Sequence, residues 1–194
     1  MDKALHELKQ LTESISPISP QDWDNFSTIW HPYSAKRKQV LTTTGSTERY
    51  LYFVEQGVQR IYYIDQHDRE ATLLFTYAPS FGGVIDSFLL QHPSRYCYET
   101  LTTSVFLRAS FNDLQPLMQT NPAIATMIRQ GVTHALSGVL ERLVELQCYS
   151  STDKFKQLLH RSPHILQLVP HKYLANYLGI NATNFSKLIN NVMI

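Results

Sequence analysis

The chain has 194 residues, of which 43% are hydrophobic and 17% charged, and its net charge is +1. This length allows one medium-sized domain and a small one, and the composition is typical of a soluble globular protein. Two cysteines are too few for an iron–sulfur cluster, no apolar run approaches the roughly 20 residues of a membrane span, and no signal peptide opens the chain. We therefore expect a cytoplasmic protein with reduced cysteines and no membrane partner.

The charge is unevenly distributed along the chain. Residues 149–194 contain five basic residues and one acidic residue, a net charge of +4, which leaves −3 on residues 1–148. A basic C-terminal segment on an acidic body is compatible with a module that binds phosphate groups, and a solvated basic surface is the alternative. The charge alone does not decide between these two interpretations.

Residues 1–33 are predicted to form a short helical lead-in. A first helix is indicated by an apolar stripe at helical spacing, which consists of Leu5, Leu8, Leu11 and Ile15. Ser19-Pro20 followed by Asp22 and Asp24 indicates the start of a second helix. Proline fits the first turn of a helix, and carboxylates interact favourably with its N-terminal dipole.

Between Lys36 and about Ser110 the pattern changes to that of strands. The runs RYLYFVEQG, VQRIYYID and ATLLFTY are rich in β-branched and aromatic residues and are separated by polar turns. After a helical patch, RYCYETLTTSVFLRAS supplies two further strand-like runs. Short strands at steady spacing indicate an all-β sandwich or barrel.

A long helix is predicted from Asn121-Pro122, an N-cap followed by a first-turn proline, to about Cys148. Its apolar stripe has spacings of mostly four and three residues and consists of Ile128, Val132, Leu136, Val139, Leu143 and Leu146. A helix of about 26 residues is about 39 Å long, which exceeds what a small β-barrel can cover. We therefore expect part of the stripe to pack against a second copy of the chain, with packing inside one chain as the alternative.

Residues 169–191 predict a helix-turn-helix. A first helix over about residues 171–178 ends at Gly179, where the chain must turn sharply, and Asn181 can cap a second helix. The small and apolar residues that such a motif buries are present at the expected positions: Leu174, Ala175, Leu178, Ile180, Phe185, Leu188 and Ile189. The second helix of this motif enters the major groove of DNA, so the stretch predicts DNA binding.

The outward face of the second helix is polar and only weakly basic. The predicted DNA contacts are Thr183, Asn184, Ser186, Lys187 and Asn190 on this helix, and His171 and Lys172 at the start of the first helix. Asparagine can pair with adenine, and lysine can reach guanine or phosphate. The weak charge leaves a second hypothesis open, namely a dimeric small-ligand-binding or interaction module whose helix-turn-helix is only structural.

The order of these elements resembles the cyclic-AMP receptor and anaerobic-regulator family (Crp/Fnr). The run LYFVEQGVQRIYYIDQHDREATLLFTYAPSFGG is similar to the family's sensor strands, with Gly57 at the hairpin and Glu70 before the next strand. The run LLHRSPHILQLVPHKYLANYLGINATNFSKL is similar to its C-terminal module, and the resemblance covers about residues 20–192. It implies an α+β chain with an N-terminal double-stranded β-helix (a jelly roll of the cyclic-nucleotide-binding type), a long dimerisation helix and a C-terminal helix-turn-helix.

The resemblance also implies a domain organisation and a mechanism. Residues 1–148 would form the sensor, with the dimerisation helix at about 121–148, and residues 149–194 would form the DNA-binding domain. A ligand in the roll would shift the long helices and re-aim the recognition helices, a population shift between two states. The implied partners are double-stranded DNA, a second copy of the chain and RNA polymerase.

The family's ligand site implies a cyclic nucleotide or another small anion as ligand. In the family, a Gly turn leads into a short helix, an acid after the Gly holds the ribose, and an Arg followed by a small or hydroxyl residue holds the phosphate. The matching residues are Gly83, Val84, Ile85, Asp86, Ser87, Arg95, Tyr96 and Cys97. Val84 replaces the acid and Tyr96 the small residue, which predicts poor binding of cyclic AMP. An ion pair of Arg95 with Glu99 or Asp86 is the structural alternative.

The sequence contains no pattern that requires catalysis. There is no Ser/His/Asp order, no P-loop, and no His-x-His pair of the kind that holds a metal in cupin enzymes. His160 and His164 have a metal-binding spacing, but Pro163 lies between them, and we expect surface histidines. Nothing supports haem binding through His92 or His134. We therefore expect neither an enzyme nor a metal site.

Overall fold

A computed structural model describes residues 2–191 of the chain. Two helices precede a block of strands, and helices form the C-terminal part. The helices are α1 (Asp2–Ile15), α2 (Pro20–Ser27), α3 (Ile85–Leu90), α4 (Phe111–Thr120), α5 (Pro122–Cys148), α6 (Ser151–Arg161), α7 (Ile165–Leu168), α8 (His171–Leu178) and α9 (Ala182–Asn191). The strands are β1 (His31–Ala35), β2 (Val40–Thr42), β3 (Tyr50–Gln56), β4 (Val58–Ile64), β5 (Glu70–Tyr77), β6 (Ser80–Gly82), β7 (Cys97–Thr100) and β8 (Ser104–Ser110).

These strands form two four-stranded antiparallel sheets that pack face to face as a β-roll. One sheet has the order β1-β8-β3-β6 and the other the order β2-β7-β4-β5. The chain passes from the first sheet to the second at Gly57, which has a φ of +94°. A Cβ atom there would lie 2.6 Å from the carbonyl oxygen of Thr103, so this turn requires glycine. The predicted α+β class with a roll and C-terminal helices is confirmed.

Strand β3 is buried on both faces, which explains why its apolar residues do not alternate with polar ones. Tyr52 and Val54 point between the sheets, where they pack with Tyr98 and Phe106. On the other face, Phe53 and its neighbours pack against the helices α1, α2, α4 and α5. The roll therefore has an aromatic interior and a separate apolar layer beneath the helices.

The predicted helix starts are confirmed by their capping bonds. The Ser19 hydroxyl accepts a hydrogen bond from the Asp22 N–H at 3.1 Å, and the Asn121 side chain accepts one from Ala123 at 3.0 Å. One boundary was wrong, because residues 31–33 belong to β1 and not to the helical lead-in. This strand is short, contains a proline and lies at a sheet edge, so it lacks the alternation that marks a strand. Strand β6 was also missed, because it lies in the segment APSFGG, where a break between strands was predicted.

The long helix α5 is buried at its beginning and exposed further along. Ile124, Met127 and Ile128 belong to the apolar layer beneath the helices. Beyond them, the helix exposes a broad apolar surface of Leu136, Val139, Leu140, Leu143, Val144 and Leu146, here called the α5 stripe. Packing inside one chain thus covers only the first part of the predicted seam.

The C-terminal helices form a compact module that is joined to α5 by two residues. Tyr149 and Ser150 make this connection, and the Ser150 hydroxyl accepts a hydrogen bond from the Asp153 N–H at 3.2 Å to cap α6. The core of the module includes the side chains of Phe155, Leu158, Ile165, Leu174, Leu178, Phe185 and Leu188. Val58 and Leu101 of the roll belong to the same cluster, so the module packs directly on the roll.

Candidate ligand pocket and DNA-binding module

The turn before α3 occupies the position of the predicted ligand cassette. Gly83 has a φ of +109°, and a Cβ atom there would lie 3.0 Å from the carbonyl oxygen of Tyr50. Only glycine fits this conformation and this close approach. The turn leaves the N–H of Val84 pointing away from the helix, where it is free to bind an acceptor.

That acceptor is the carboxylate of Glu48, which has 1% of its surface exposed. One carboxylate oxygen accepts from the Val84 N–H at 3.2 Å and from the Thr42 hydroxyl at 2.6 Å. The other accepts from the N–H groups of Arg49 at 3.0 Å and Tyr50 at 3.3 Å. The chain therefore supplies its own acid to the turn in which a ligand anion was expected.

Glu48 makes the turn unfavourable for a bound anion. Burial raises the pKa of Glu48, and the four hydrogen bonds to its carboxylate oppose that shift. An anion about 4 Å from the ionised carboxylate would be repelled by about 4 kcal/mol at an effective dielectric constant of about 20. Beside the protonated acid, an anion would find no attractive charge either.

Two adjoining cavities lie between the roll and α5. The first has a volume of about 210 Å³ and its lining is mostly apolar, with Leu51, Phe81, Met127 and Val132 among its walls. The second has a volume of about 410 Å³ and lies closer to the C-terminal module. Residues that line both cavities are Ile61, Leu74, Gly83 and Ile85. Together they form the candidate ligand pocket.

The structure brings together only part of the predicted ligand set. Gly83, Val84, Ile85, Asp86 and Tyr96 line the second cavity. Ser87 is buried and acts structurally, because its hydroxyl accepts from the Glu48 N–H at 3.0 Å and donates to the His92 carbonyl at 2.6 Å. Cys97 is buried in the roll.

Arg95 does not face the pocket. Its side chain is exposed, and it is absent from the walls of both cavities as far as residues 2–191 define them. Glu99, its suggested partner, instead binds Arg60 at 2.9 Å and Lys38 at 3.5 Å. The predicted phosphate contact is thus missing in this conformation, and the suggested pair with Glu99 is not formed.

The helix-turn-helix has the predicted geometry. Gly179 ends α8 with a φ of +66°, and the Asn181 side chain accepts from the Asn184 N–H at 2.7 Å. On α9, Phe185 and Leu188 face the module core. The opposite face exposes Thr183, Ser186, Lys187 and Asn190, while Asn184 is half-buried. A polar helix face is therefore available to a partner.

At the start of α8, His171 and Lys172 are exposed. The ring of His171 packs 5.6 Å from that of Phe185, and the Lys172 ammonium lies 4.7 Å from the Tyr173 ring. Both residues predicted to contact the DNA backbone thus lie at the surface, on the first helix of the helix-turn-helix.

The side chain of Asn176 joins α8 to the free edge of β5. Its oxygen accepts from the Thr72 N–H at 2.5 Å, and its amide group donates to the Glu70 carbonyl at 2.8 Å. Because β5 ends the sheet, these backbone groups have no strand partner on that side. The amide thus pairs with the edge as a neighbouring strand would.

Two arginines make further contacts between the module and the rest of the chain. The guanidinium of Arg60 stacks between the rings of Tyr62 and Tyr173, at 3.9 and 4.1 Å from their centroids. Arg142 of α5 donates to the carbonyl of Tyr177 and lies 3.9 Å from its ring.

Glu145 links α5 to α6. It accepts from Arg161 at 2.9 Å and from Arg142 at 3.3 Å. The hydrogen bond from Arg161 lowers the pKa of Glu145 although burial opposes the shift. Sequence reasoning missed these residues together with Glu48 and Asn176, because each acts on a partner in another helix or strand.

The described residues offer no sign of a metal centre or a membrane span. Within residues 2–191, no group of three or more His, Cys, Asp and Glu side chains could hold a metal ion. In the same range, no helix has the length and apolar character needed to cross a bilayer.

The chain thus combines a β-roll, a pocket beneath a long helix and a C-terminal helix-turn-helix. The chain is similar in structure to FixK2 from Bradyrhizobium japonicum, with 12% identity, a TM-score of 0.76, and coverage of 84% of this chain and 83% of that one. It is also similar to CLP, the c-di-GMP-responsive global regulator of Xanthomonas campestris, with 20% identity, a TM-score of 0.66, and coverage of 89% and 90%.

A third similar structure is the catabolite activator protein of Thermus thermophilus, with 17% identity, a TM-score of 0.58, and coverage of 91% and 84%. No protein-family model and no curated protein sequence matches this chain. The three neighbours belong to the Crp/Fnr family and have the cyclic-nucleotide-binding fold. The predicted Crp/Fnr resemblance is therefore confirmed for the fold.

Proposed function

We propose that this chain is a homodimeric transcription regulator of the Crp/Fnr type. Residues 1–148 are the sensor with its long helix, and residues 149–194 are the DNA-binding domain. The observation that carries the proposal is the position of α9, whose polar face with Lys187 is exposed on a module docked beside a ligand-sized pocket. The Crp/Fnr fold and the basic charge of the module support it.

DNA binding by α9 is tested with a salt series on the full chain. Genomic DNA fragments selected by the protein should bind with a log affinity that falls linearly with log salt concentration. Lys187→Ala should weaken binding and reduce the slope by about one. Lys3→Ala, which removes the same charge from the exposed side of α1, is the matched control and should bind as the wild type does. If the two variants change the DNA affinity equally, Lys187 on α9 does not contact DNA.

Dimer formation through α5 is supported by the α5 stripe. Leu136 is 56% exposed and Leu143 48%, and an apolar surface of this length on one helix indicates a partner. A second copy of α5 has the complementary pattern, because a two-fold axis pairs the same surface with itself. The two chains would then present two α9 helices to a pseudo-palindromic site.

Light scattering tests the dimer directly. Leu143→Glu should convert the protein to a monomer, because it places a charge in the apolar seam. Gly138→Glu adds the same charge at an exposed position about 140° around the helix, where an added Cβ meets nothing within 4 Å, and should leave the dimer intact. A wild-type protein that is monomeric at micromolar concentration would refute this part of the proposal.

Ligand gating is supported by what surrounds the second cavity. Its walls come from β5, from α5 and, through Tyr177, from α8. A molecule bound there would contact the roll, the long helix and the DNA-binding module at once. Its affinity would differ between arrangements of these elements, which is the requirement for a population shift.

A further inference from the structure

We infer that the candidate ligand pocket binds a small amphiphile and not a nucleotide. The amphiphile has an apolar body and one oxygen acceptor. The link between this ligand and regulation rests on the function proposed above. The first cavity receives the apolar body. An apolar cavity of about 150 Å³ can hold benzene, so the observed volume of about 210 Å³ suits a body of roughly 8 to 10 carbon atoms.

The turn before α3 lacks the groups that the predicted phosphate contact requires. The Val84 N–H at the turn is already bound to Glu48, and a phosphate would have to displace this buried carboxylate. Arg95, the expected cation, is exposed and, within the described residues, does not line either cavity. Asp86 adds a second acidic side chain to the wall of the second cavity.

Within residues 2–191, two residues in the wall of the second cavity carry a buried polar atom that lacks a hydrogen-bond partner. Thr72 and Arg142 line this cavity and are 5% and 7% exposed. The hydroxyl of Thr72 and the Nε of Arg142 are buried and have no hydrogen-bond partner among the described residues. The other two nitrogens of Arg142 already donate to Glu145 and Tyr177. Buried polar atoms are rarely left unpaired, so both point to an acceptor supplied by a bound molecule.

The pocket is therefore apolar at one end and has two donors at the other. A carbonyl or carboxyl group on a medium-length carbon chain matches this order. The second copy of α5 in the proposed dimer would cover the opening, because Val139, Leu143 and Leu146 belong both to the α5 stripe and to the cavity wall.

The test is isothermal titration of the full chain, without DNA, against 2-octanone, octanoic acid and cyclic AMP. We expect saturable binding of 2-octanone with one molecule per chain, and no binding of cyclic AMP. Octanoic acid should compete with 2-octanone, and the ratio of the two affinities distinguishes a neutral carbonyl head from an acid. Tighter binding of cyclic AMP than of either amphiphile, or no saturable binding of any probe, would overturn the inference.

Two variants separate the two ends of the pocket. Gly131 lines the first cavity, and Gly131→Leu should fill it and abolish 2-octanone binding. The matched control is Gly138→Leu on the same helix, where an added Cβ meets nothing within 4 Å and binding should persist. Thr72→Val should weaken 2-octanone binding roughly three- to tenfold, the contribution of one hydrogen bond.

Thr72→Val should not lower the melting temperature, because the hydroxyl that it removes has no partner in the protein. If the hydroxyl has only a structural role, Thr72→Val should bind 2-octanone as tightly as the wild type does. This result would contradict the assigned acceptor site. The 2-octanone titration is carried out without DNA, so its result does not depend on DNA binding. Saturable 2-octanone binding by a chain that fails to bind DNA would leave the pocket assignment intact and remove the regulator proposal.

Discussion

The substitution Asn176→Ala should loosen the docking of the C-terminal module on the roll. It removes the hydrogen bonds to the Thr72 N–H and the Glu70 carbonyl. Each is worth about 0.5–1.5 kcal/mol, so together they contribute about 1–3 kcal/mol. Asn176 itself is exposed, and water can replace part of this loss, so we expect the lower half of that range. About 1–2 kcal/mol corresponds to a roughly 5- to 30-fold larger undocked population.

Hydrogen–deuterium exchange provides the measurement. Thr72 is buried, and within residues 2–191 the Asn176 side chain is the one acceptor for its N–H on the free edge of β5. In Asn176→Ala, exchange at Thr72 should accelerate by the same factor as the undocked population, whereas amides inside β3 should be unaffected. The control is Asn25→Ala, an asparagine on the exposed side of α2. Unchanged exchange at Thr72 would mean that other contacts hold the module, and the reasoning would fail.

Further predictions concern two buried carboxylates and two glycines. Burial raises the pKa of Glu48 above its ordinary value of 4.5. In chemical denaturation, the wild type should therefore gain stability relative to Glu48→Gln as the pH falls from 7 towards 4.5. The opposite trend would contradict the buried environment assigned to Glu48. Glu145 has a lowered pKa, so the wild type should lose stability relative to Glu145→Gln as the pH falls below about 4.5. If the stability difference does not depend on pH, the ion pair with Arg161 is not what stabilises the wild type. Gly83→Ala should destabilise the protein by about 1–3 kcal/mol, because alanine is strained at this positive φ and its Cβ meets the Tyr50 carbonyl. Gly138→Ala, in an open helical position, should instead stabilise it by up to about 1 kcal/mol; equal melting temperatures for the two variants would refute the assigned role of Gly83.

Local sequence signals predicted most of the fold. Ser19 and Asn121 precede prolines and cap their helices as expected, because capping depends on residues within one turn. Gly179 ends α8 for the same local reason. Strand β1 was missed because an edge strand with a proline has little periodicity of its own and is defined by its pairing with β8.

The candidate site was less predictable, because its key contacts connect distant parts of the chain. The loss of the family's acid at Val84 was visible in the sequence. The binding of the Val84 N–H by Glu48 was not, because 36 positions separate the two partners and no spacing rule relates them. Asn176 and Thr72 are 104 positions apart, and an exposed helical asparagine resembles any other solvated residue. Such contacts follow from the packing of the module on the roll and not from a local pattern.

The two-residue connection at Tyr149 and Ser150 also sets how strong the docking contacts need to be. A tether this short keeps the module beside the roll at an effective concentration of millimolar or above. Contacts too weak to hold two separate proteins together are then sufficient to keep the module docked. A modest change in one of them, by a ligand or a substitution, can therefore change the orientation of the module without any risk that it diffuses away.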